Sequence, residues 1–356
     1  MAVLNEEQEM LRDMAREWTT NESPVTEWRK VRASGDPQAW DASIYASMAE
    51  MGWTGVIIPE EHGGSDFGWL SAGLVIEELG KTLTASPIVA STIAAAAIVL
   101  GGNDAQKSEW LPEIASGEIV ATLAVDESPR HDPSRVEVVA QNGKLNGTKR
   151  FVHEAHGAQL FVVSATDGLY LVPSRDGVRL ETRKLADLRN HADIVFENAA
   201  AEKLESGGDD LLDQVLDRAR VLTACEMLGM AQQVFDTTLD YLKQRRQFDQ
   251  VLATFQALQH RMADLFGDLA VMRSAVEGGL QALDAGFRTS QAATIAKAEA
   301  NRVLHAISRE GIQLHGGIGM TDEYDVGFYL KRARVLEASF GSTSFLKSRF
   351  ASLSGY

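Results

Sequence analysis

EIVATLAV (118–125), RVEVVAQNGKLNG (135–147), QLFVVSATDGLYLVP (159–173) and ADIVFENA (192–199) follow one another in the middle of the chain. They are short runs rich in β-branched and aromatic residues. Asn142-Gly143 and Asp167-Gly168 lie between such runs and read as hairpin turns, because these residues accept the backbone angles of tight reversals. With no helical period between them, the runs predict a compact antiparallel sheet or barrel rather than βαβ units.

On both sides of this block the apolar residues recur at three- and four-residue spacing, the mark of helices. The first helical stretch runs from Asn5 to about Ile114, with Asn5 as N-cap and Glu6 and Glu7 in the first turn. Its main interruption is IIPEEHGGSDFG (57–68), which proline and paired glycines make a loop. Helical periodicity returns near Gly208 and continues to Leu353. The expected class is therefore α+β, mainly α: an N-terminal helical domain (1–117), a middle β-barrel (118–206) and a C-terminal helical domain (207–356). A dinucleotide Rossmann fold is disfavoured, since no strand precedes the glycines at 316–319 and no GxGxxG opens a helix.

A net charge of −16 argues against a nucleic-acid partner, which needs a basic surface. The single cysteine, Cys225, leaves no disulfide framework and no cysteine-based metal site, and no metal is expected. The start, MAVLNEEQEMLRDMAREW (1–18), is acidic and amphipathic, unlike a signal peptide, so a cytoplasmic location is expected. The apolar run Ile88–Leu100 is too short to span a bilayer and reads as a buried core helix, so no membrane span is expected.

The C-terminal third carries the most specific strings: YLKQRRQF (241–248), then Gln256 and His260, then QLHGGIGMTDEY (313–324). With PEEHGG (59–64), EELG (77–80) and LNGTKRFV (145–152), they occur in an order and spacing that resembles the acyl-CoA dehydrogenase family over essentially the whole chain. The resemblance implies FAD as cofactor, lying between two subunits of a tetramer. Its ring would meet one subunit's barrel and its pyrophosphate and adenine the neighbour's C-terminal helices. By motif position Arg245 would meet the pyrophosphate, Phe248 would pack beside it, Gln256 would reach the adenosine half, and Gln313, Gly316 and Gly317 would line the same end. A guanidinium forks onto phosphate oxygens and glycines admit close backbone approach, so the assignment is chemically coherent. Taken alone, Arg245 also reads as a cation at a helix C-terminus, and Gly316-Gly317 as a helix cap.

Arg220 and Asp217 match family positions that hold the CoA and acyl portions of an acyl-CoA substrate. Arg220 precedes Arg245 by 25 residues, roughly 37 Å along one helix, so the two would serve different sites. The family's reaction removes an α-proton with a carboxylate while the β-hydride passes to flavin, and the base must reach that proton. Where most members carry YEGT, this chain has SFGST (339–343) with Phe340 at the base position. A minority place the base immediately before the arginine matched by Arg220; that residue is Ala219. Glu226, in ACEMLGMA (224–231), is the nearest surrogate base.

The family's TEPGAGSD loop appears as VDESPRHDP (125–133) without its glycines, and its WITN segment as Phe151-Val152-His153-Glu154, with His153 in place of a hydroxyl. Features serving a neighbour's FAD are kept, whereas those serving the chain's own flavin ring and base are eroded. HGGIGMTDEYDVG (315–327) and KRARVLEASFG (331–341) are similar to the smaller, base-deficient subunit of α2β2 enzymes acting on bulky or dicarboxylic acyl-CoAs in lipid or steroid degradation. The resemblance thus implies a larger homologous partner subunit and electron-transfer flavoprotein as acceptor. A homo-oligomeric enzyme with another base, and a catalytically silent assembly protein on the same fold, are the alternatives.

Overall fold

A computed structural model describes residues 4–356; the first three residues of the acidic start lie outside them. The chain runs as helices α1 (Glu6–Glu22), α2 (Val25–Ser34), α3 (Ala42–Glu50), α4 (Gly68–Lys81), α5 (Ile88–Gly101) and α6 (Asp104–Ala115). Strands β1 (Ala121–Ala124), β2 (Val139–Gln141), β3 (Lys144–His153), β4 (Leu160–Ala165), β5 (Gly168–Pro173), β6 (Val178–Thr182), β7 (His191–Ala200) and β8 (Glu202–Lys203) follow. Next come α7 (Leu211–Gln244), a small hairpin of β9 (Arg246–Gln247) and β10 (Gln250–Val251), then α8 (Gln256–Ala285), α9 (Thr289–His315), α10 (Val326–Ala338) and α11 (Thr343–Leu353). This is the mainly helical α+β order expected.

Local rules explain the boundaries. Asn5 Oδ1 accepts from Gln8 N at 2.8 Å while Asn5 N donates to Gln8 Oε1, a capping box, and Asn103 with Gln106 repeats it at α6. Helix α5 is apolar on all sides and buried, as its composition requires. No described helix is long and apolar enough to cross a membrane. In the 57–68 loop a Cβ on Gly64 would stand 2.0 Å from the Ile58 carbonyl oxygen, so only glycine fits there.

The strands form two four-stranded sheets, ordered β1-β4-β5-β8 and β2-β3-β7-β6. Pairing is antiparallel except for β1 with β4, which the loop 125–138 and strands β2 and β3 separate in sequence. Asn142 (φ 53°) and Gly143 (φ 70°) make the β2–β3 turn that the dipeptide predicts. Strand β4 is buried along its whole length, which is why LFVVSA lacks polar alternation.

The described chain divides into two compact units. One gathers Met1–Val25, Gly73–Thr84 and Arg220–Tyr356; the other gathers Thr26–Ala72 and Ala85–Ala219. In the first, the EELG string has a packing role. Glu77 holds Arg273 of α8 through two bonds of 2.8 and 3.1 Å, and Glu78 takes Lys81 at 2.7 Å and Arg16 at 3.2 Å. Arg302 similarly bridges α8 and α9 through Asp268 and Glu299.

Candidate functional site

The helical unit places the six proposed FAD residues on elements that meet around one end of its bundle. Helix α7 stops at Gln244, so Arg245 is the first residue beyond it, its N–H donating to the Tyr241 carbonyl at 2.8 Å. Phe248 and Asp249 take positive φ angles of 53° and 62° and turn the hairpin, leaving the Phe248 ring 83% exposed beside Phe255. Gln256 opens α8 and Gln313 lies in the last turn of α9, both exposed. The end of α9 is locked to α7 by stacking: the His315 ring is 4.3 Å from Tyr241 and 4.6 Å from Tyr324, and Tyr241 Oη donates to the His315 carbonyl at 3.3 Å.

Three features mark this end. The Arg245 guanidinium has no ion pair among the described residues. Gly316 (φ 65°) needs glycine for its backbone, but Gly317 has neither a positive φ nor any atom within 4 Å of a notional Cβ. His315 Nε2 is buried without a hydrogen-bond partner among the described residues, while Nδ1 is committed to the Gly311 carbonyl at 2.7 Å. Burial lowers the His315 pKa, with the Gly311 bond opposing it, so the ring is favoured neutral.

The loop at the family's base position is firmly built. Phe340 adopts φ 56° and Gly341 φ 127° just beyond α10. Arg220, completely buried, donates from Nε to the Phe340 carbonyl at 3.1 Å. Lys297, also completely buried, donates to the Leu336 carbonyl at 2.9 Å and to Asn301 Oδ1 at 2.6 Å. Asn301 passes the support on to the Gly341 carbonyl at 3.2 Å. These side chains satisfy carbonyls at and beyond the end of α10, where the helix has no donors of its own. No carboxylate belongs to residues 339–341, where Phe340 contributes an apolar ring.

Three further candidate residues are engaged within the described chain. Arg220 is enclosed and engaged with the loop, and Asp217 is likewise buried, at 1% exposure. Arg332 grips Glu226 from Nε at 2.8 Å and Nη2 at 3.2 Å, a forked ion pair. Replacing Glu226 by Gln is expected to cost about 2 kcal/mol by stranding Arg332. A fall of several degrees in the melting midpoint, without loss of bound flavin, checks this role.

In the sheet-bearing unit, the 125–138 loop satisfies itself. Lys149, fully buried, donates to Glu127 at 2.5 Å, to the Val125 carbonyl at 2.9 Å and to Ser164 Oγ at 2.9 Å. Glu127 in turn accepts from the Glu137 and Val138 amides, and Asp126 accepts from Asp132 N and pairs with His131 at 2.9 Å. The Asp126 and Glu127 carboxylates are thus committed within this region. Beyond it, Phe151 and Glu154 take positive φ angles of 52°, and the His153 ring packs 4.5 Å from His191.

Sequence reasoning missed Lys297 and Asn301. Their signal was present: with Ala293, Ala300 and Leu304 they fall on the buried face of α9, where a lysine demands a reason.

Comparison with known proteins supports the same placement. Family models described as acyl-CoA dehydrogenase N-terminal and C-terminal domains match residues 5–118 and 206–352. Acyl-CoA dehydrogenase IpdE2 of Mycobacterium tuberculosis is 30% identical over 347 residues, covering 96% of this chain and 94% of that protein. Among solved structures, the Tcur3481-Tcur3483 steroid ACAD superposes with a TM-score of 0.91 at 28% identity, covering 98% of this chain and 97% of that one. A glutaryl-CoA dehydrogenase of Mycobacterium smegmatis, solved in complex with FADH2, has a TM-score of 0.88 at 22% identity over 99% of this chain and 96% of its own, a likeness of fold. With both models and a full-length relative in agreement, the chain belongs to the acyl-CoA dehydrogenase family.

Proposed function

We propose that this protein is the base-deficient subunit of a heteromeric, FAD-dependent acyl-CoA dehydrogenase. The observation that carries the reading is the 339–341 loop, held by Arg220, Lys297 and Asn301, with Phe340 at the position of the family's Glu. A chain retaining the support of its base loop but not the base contributes something other than proton abstraction at that site. What it keeps is the end where α7 and α9 meet. Arg245 would neutralise the pyrophosphate, Gly316 and Gly317 would let the backbone come close, and Phe248, Gln256 and Gln313 would line the adenosine half. FAD, when bound, supplies the hydride acceptor for α,β-desaturation of the acyl thioester.

The ring of that FAD would lie against a larger homologous subunit, which would also provide the carboxylate. An α2β2 assembly acting on a bulky or dicarboxylic acyl-CoA, with electron-transfer flavoprotein as acceptor, is the arrangement this reading favours. The likeness to a solved steroid ACAD supports the bulky acyl group of that reading. The experiment is co-expression with a homologous subunit carrying Glu at the base position. A stable complex with one FAD for each pair of unlike chains is expected. Full flavin loading and turnover by the chain alone would overturn the proposal.

A further inference from the structure

Arg218 stands on α7 next to Ala219, and its surroundings are unusual for a chain with 50 acidic residues. Its guanidinium lies 5.2 Å from the ring centroid of Trp69, which holds the side chain by cation–π contact. Nη1 donates to the Gln214 carbonyl one turn back at 2.9 Å. Nε is buried with no hydrogen-bond partner among the described residues. No salt bridge to Arg218 is found among them either. Burial lowers its pKa, against the pull of Asp217, the sign of a cation taken from water without a bonded counterion.

The chain itself shows what the empty edge is shaped for. Arg332 uses the same pair of nitrogens, Nε and Nη2, to fork onto the Glu226 carboxylate. On Arg218 that edge is unclaimed while Nη1 and the ring face are fixed. A guanidinium immobilised on two sides, with Nε buried and unmet and Nη2 unclaimed, is organised to receive a planar anion. Leaving a buried donor unmet is costly, and an incoming acceptor recovers that cost.

We infer that Arg218, set on Trp69, is a recognition position for a carboxylate on the acyl group of a bound thioester. This rests on the acyl-CoA reading above and narrows its substrate class to acyl chains with an acidic terminus. It does not require turnover in this chain, since neither Ala219 nor Phe340 can take a proton. The ligand would be held and oriented here, or sensed here, without being oxidised.

The test is isothermal titration of the full chain, alone and in its co-expressed complex, with glutaryl-CoA and valeryl-CoA. The two differ by a terminal carboxylate in place of a methyl, and both carry the same CoA phosphates, so the ratio of affinities isolates the carboxylate. Glutaryl-CoA is expected to bind at least about tenfold more tightly, the size of one charge-assisted hydrogen bond. Arg218→Leu should bring the ratio close to one with valeryl-CoA affinity kept. Arg218→Lys, which keeps the charge but not the fork, should leave an intermediate ratio and guards against a misfolded leucine variant. Equal binding of the two thioesters by the native protein, or a preference that survives Arg218→Leu, overturns the inference and leaves the acyl-CoA reading intact. Binding of neither thioester by either preparation removes the acyl-CoA reading and the inference with it.

Discussion

Gly229→Ala is expected to destabilise the protein by about 3 kcal/mol or more, although alanine is the better helix former. Helices α4 and α7 cross with backbone against backbone. A Cβ on Gly229 would stand 1.9 Å from the Glu77 carbonyl oxygen, and one on Gly80 would stand 2.3 Å from the Glu226 carbonyl oxygen. Each glycine therefore faces the carbonyl three residues before the other. Neither has a positive φ, so packing alone requires glycine. Alanine would gain roughly 1 kcal/mol of helix propensity but force the helices apart, loosening the Glu77–Arg273 and Glu226–Arg332 pairs on either side. Gly278, in α8 with nothing within 4 Å of a notional Cβ, is the matched control. There the same change should stabilise by about 0.5–1 kcal/mol. Opposite signs in chemical denaturation test the crossing; equal effects would remove it as a constraint.

The second large effect is a stability that rises with pH above neutrality. Lys297 is completely buried, and desolvation brings its pKa down to about 7, opposed by Glu337 and reinforced by Arg220. In the unfolded chain it keeps an ordinary lysine value near 10.4. Between these values the unfolded state holds the proton and the folded state does not, so unfolding takes up a proton and stability grows with pH. The burden is present in full below the folded value and lifts as pH rises through it. From pH 7 to 9 this one group should add about 2 kcal/mol. Lys149, also lowered by burial, acts in the same direction. Cys225 and the buried tyrosines Tyr45 and Tyr329 are raised and act in the opposite direction at higher pH, so the window ends near pH 9. Denaturation midpoints at pH 7, 8 and 9 should climb in the native protein, and Lys297→Met should remove most of the slope. A slope unchanged by the substitution would assign it elsewhere.

Why a buried lysine is tolerated follows from what it holds. Leu336 and the residues after it present carbonyls that the end of α10 cannot satisfy, and Lys297, Asn301 and Arg220 supply the donors. The same carbonyls position the backbone of Phe340. The support of the 339–341 loop and a stability burden are thus built from the same residues.

Much of this architecture was legible in the residues. The Asn142-Gly143 turn, the Asn5 cap and the all-apolar run from Ile88 each follow from local physics, so each reads directly. The positions of Arg245, Gly316 and Gly317 came from resemblance, and the fold puts the ends of α7 and α9 side by side through the stacked His315. The fates of Arg220 and Glu226 were not legible. Their partners, Phe340 and Arg332, are 120 and 106 residues away, and no local period reports contacts at that separation. The division of the helices was hidden for the same reason. Helix α1 and the second half of α4 group with residues more than a hundred positions downstream, which only packing decides.

The central claim, that this chain contributes one end of an FAD site completed by another subunit, is tested most directly by flavin content. In the co-expressed complex, Arg245→Ala should strip FAD from an assembly that still forms, because Arg245 is exposed at the hairpin and carries no ion pair among the described residues. The account predicts loss of most of the yellow cofactor together with activity, at unchanged subunit stoichiometry. An intact flavin complement in that variant would contradict it.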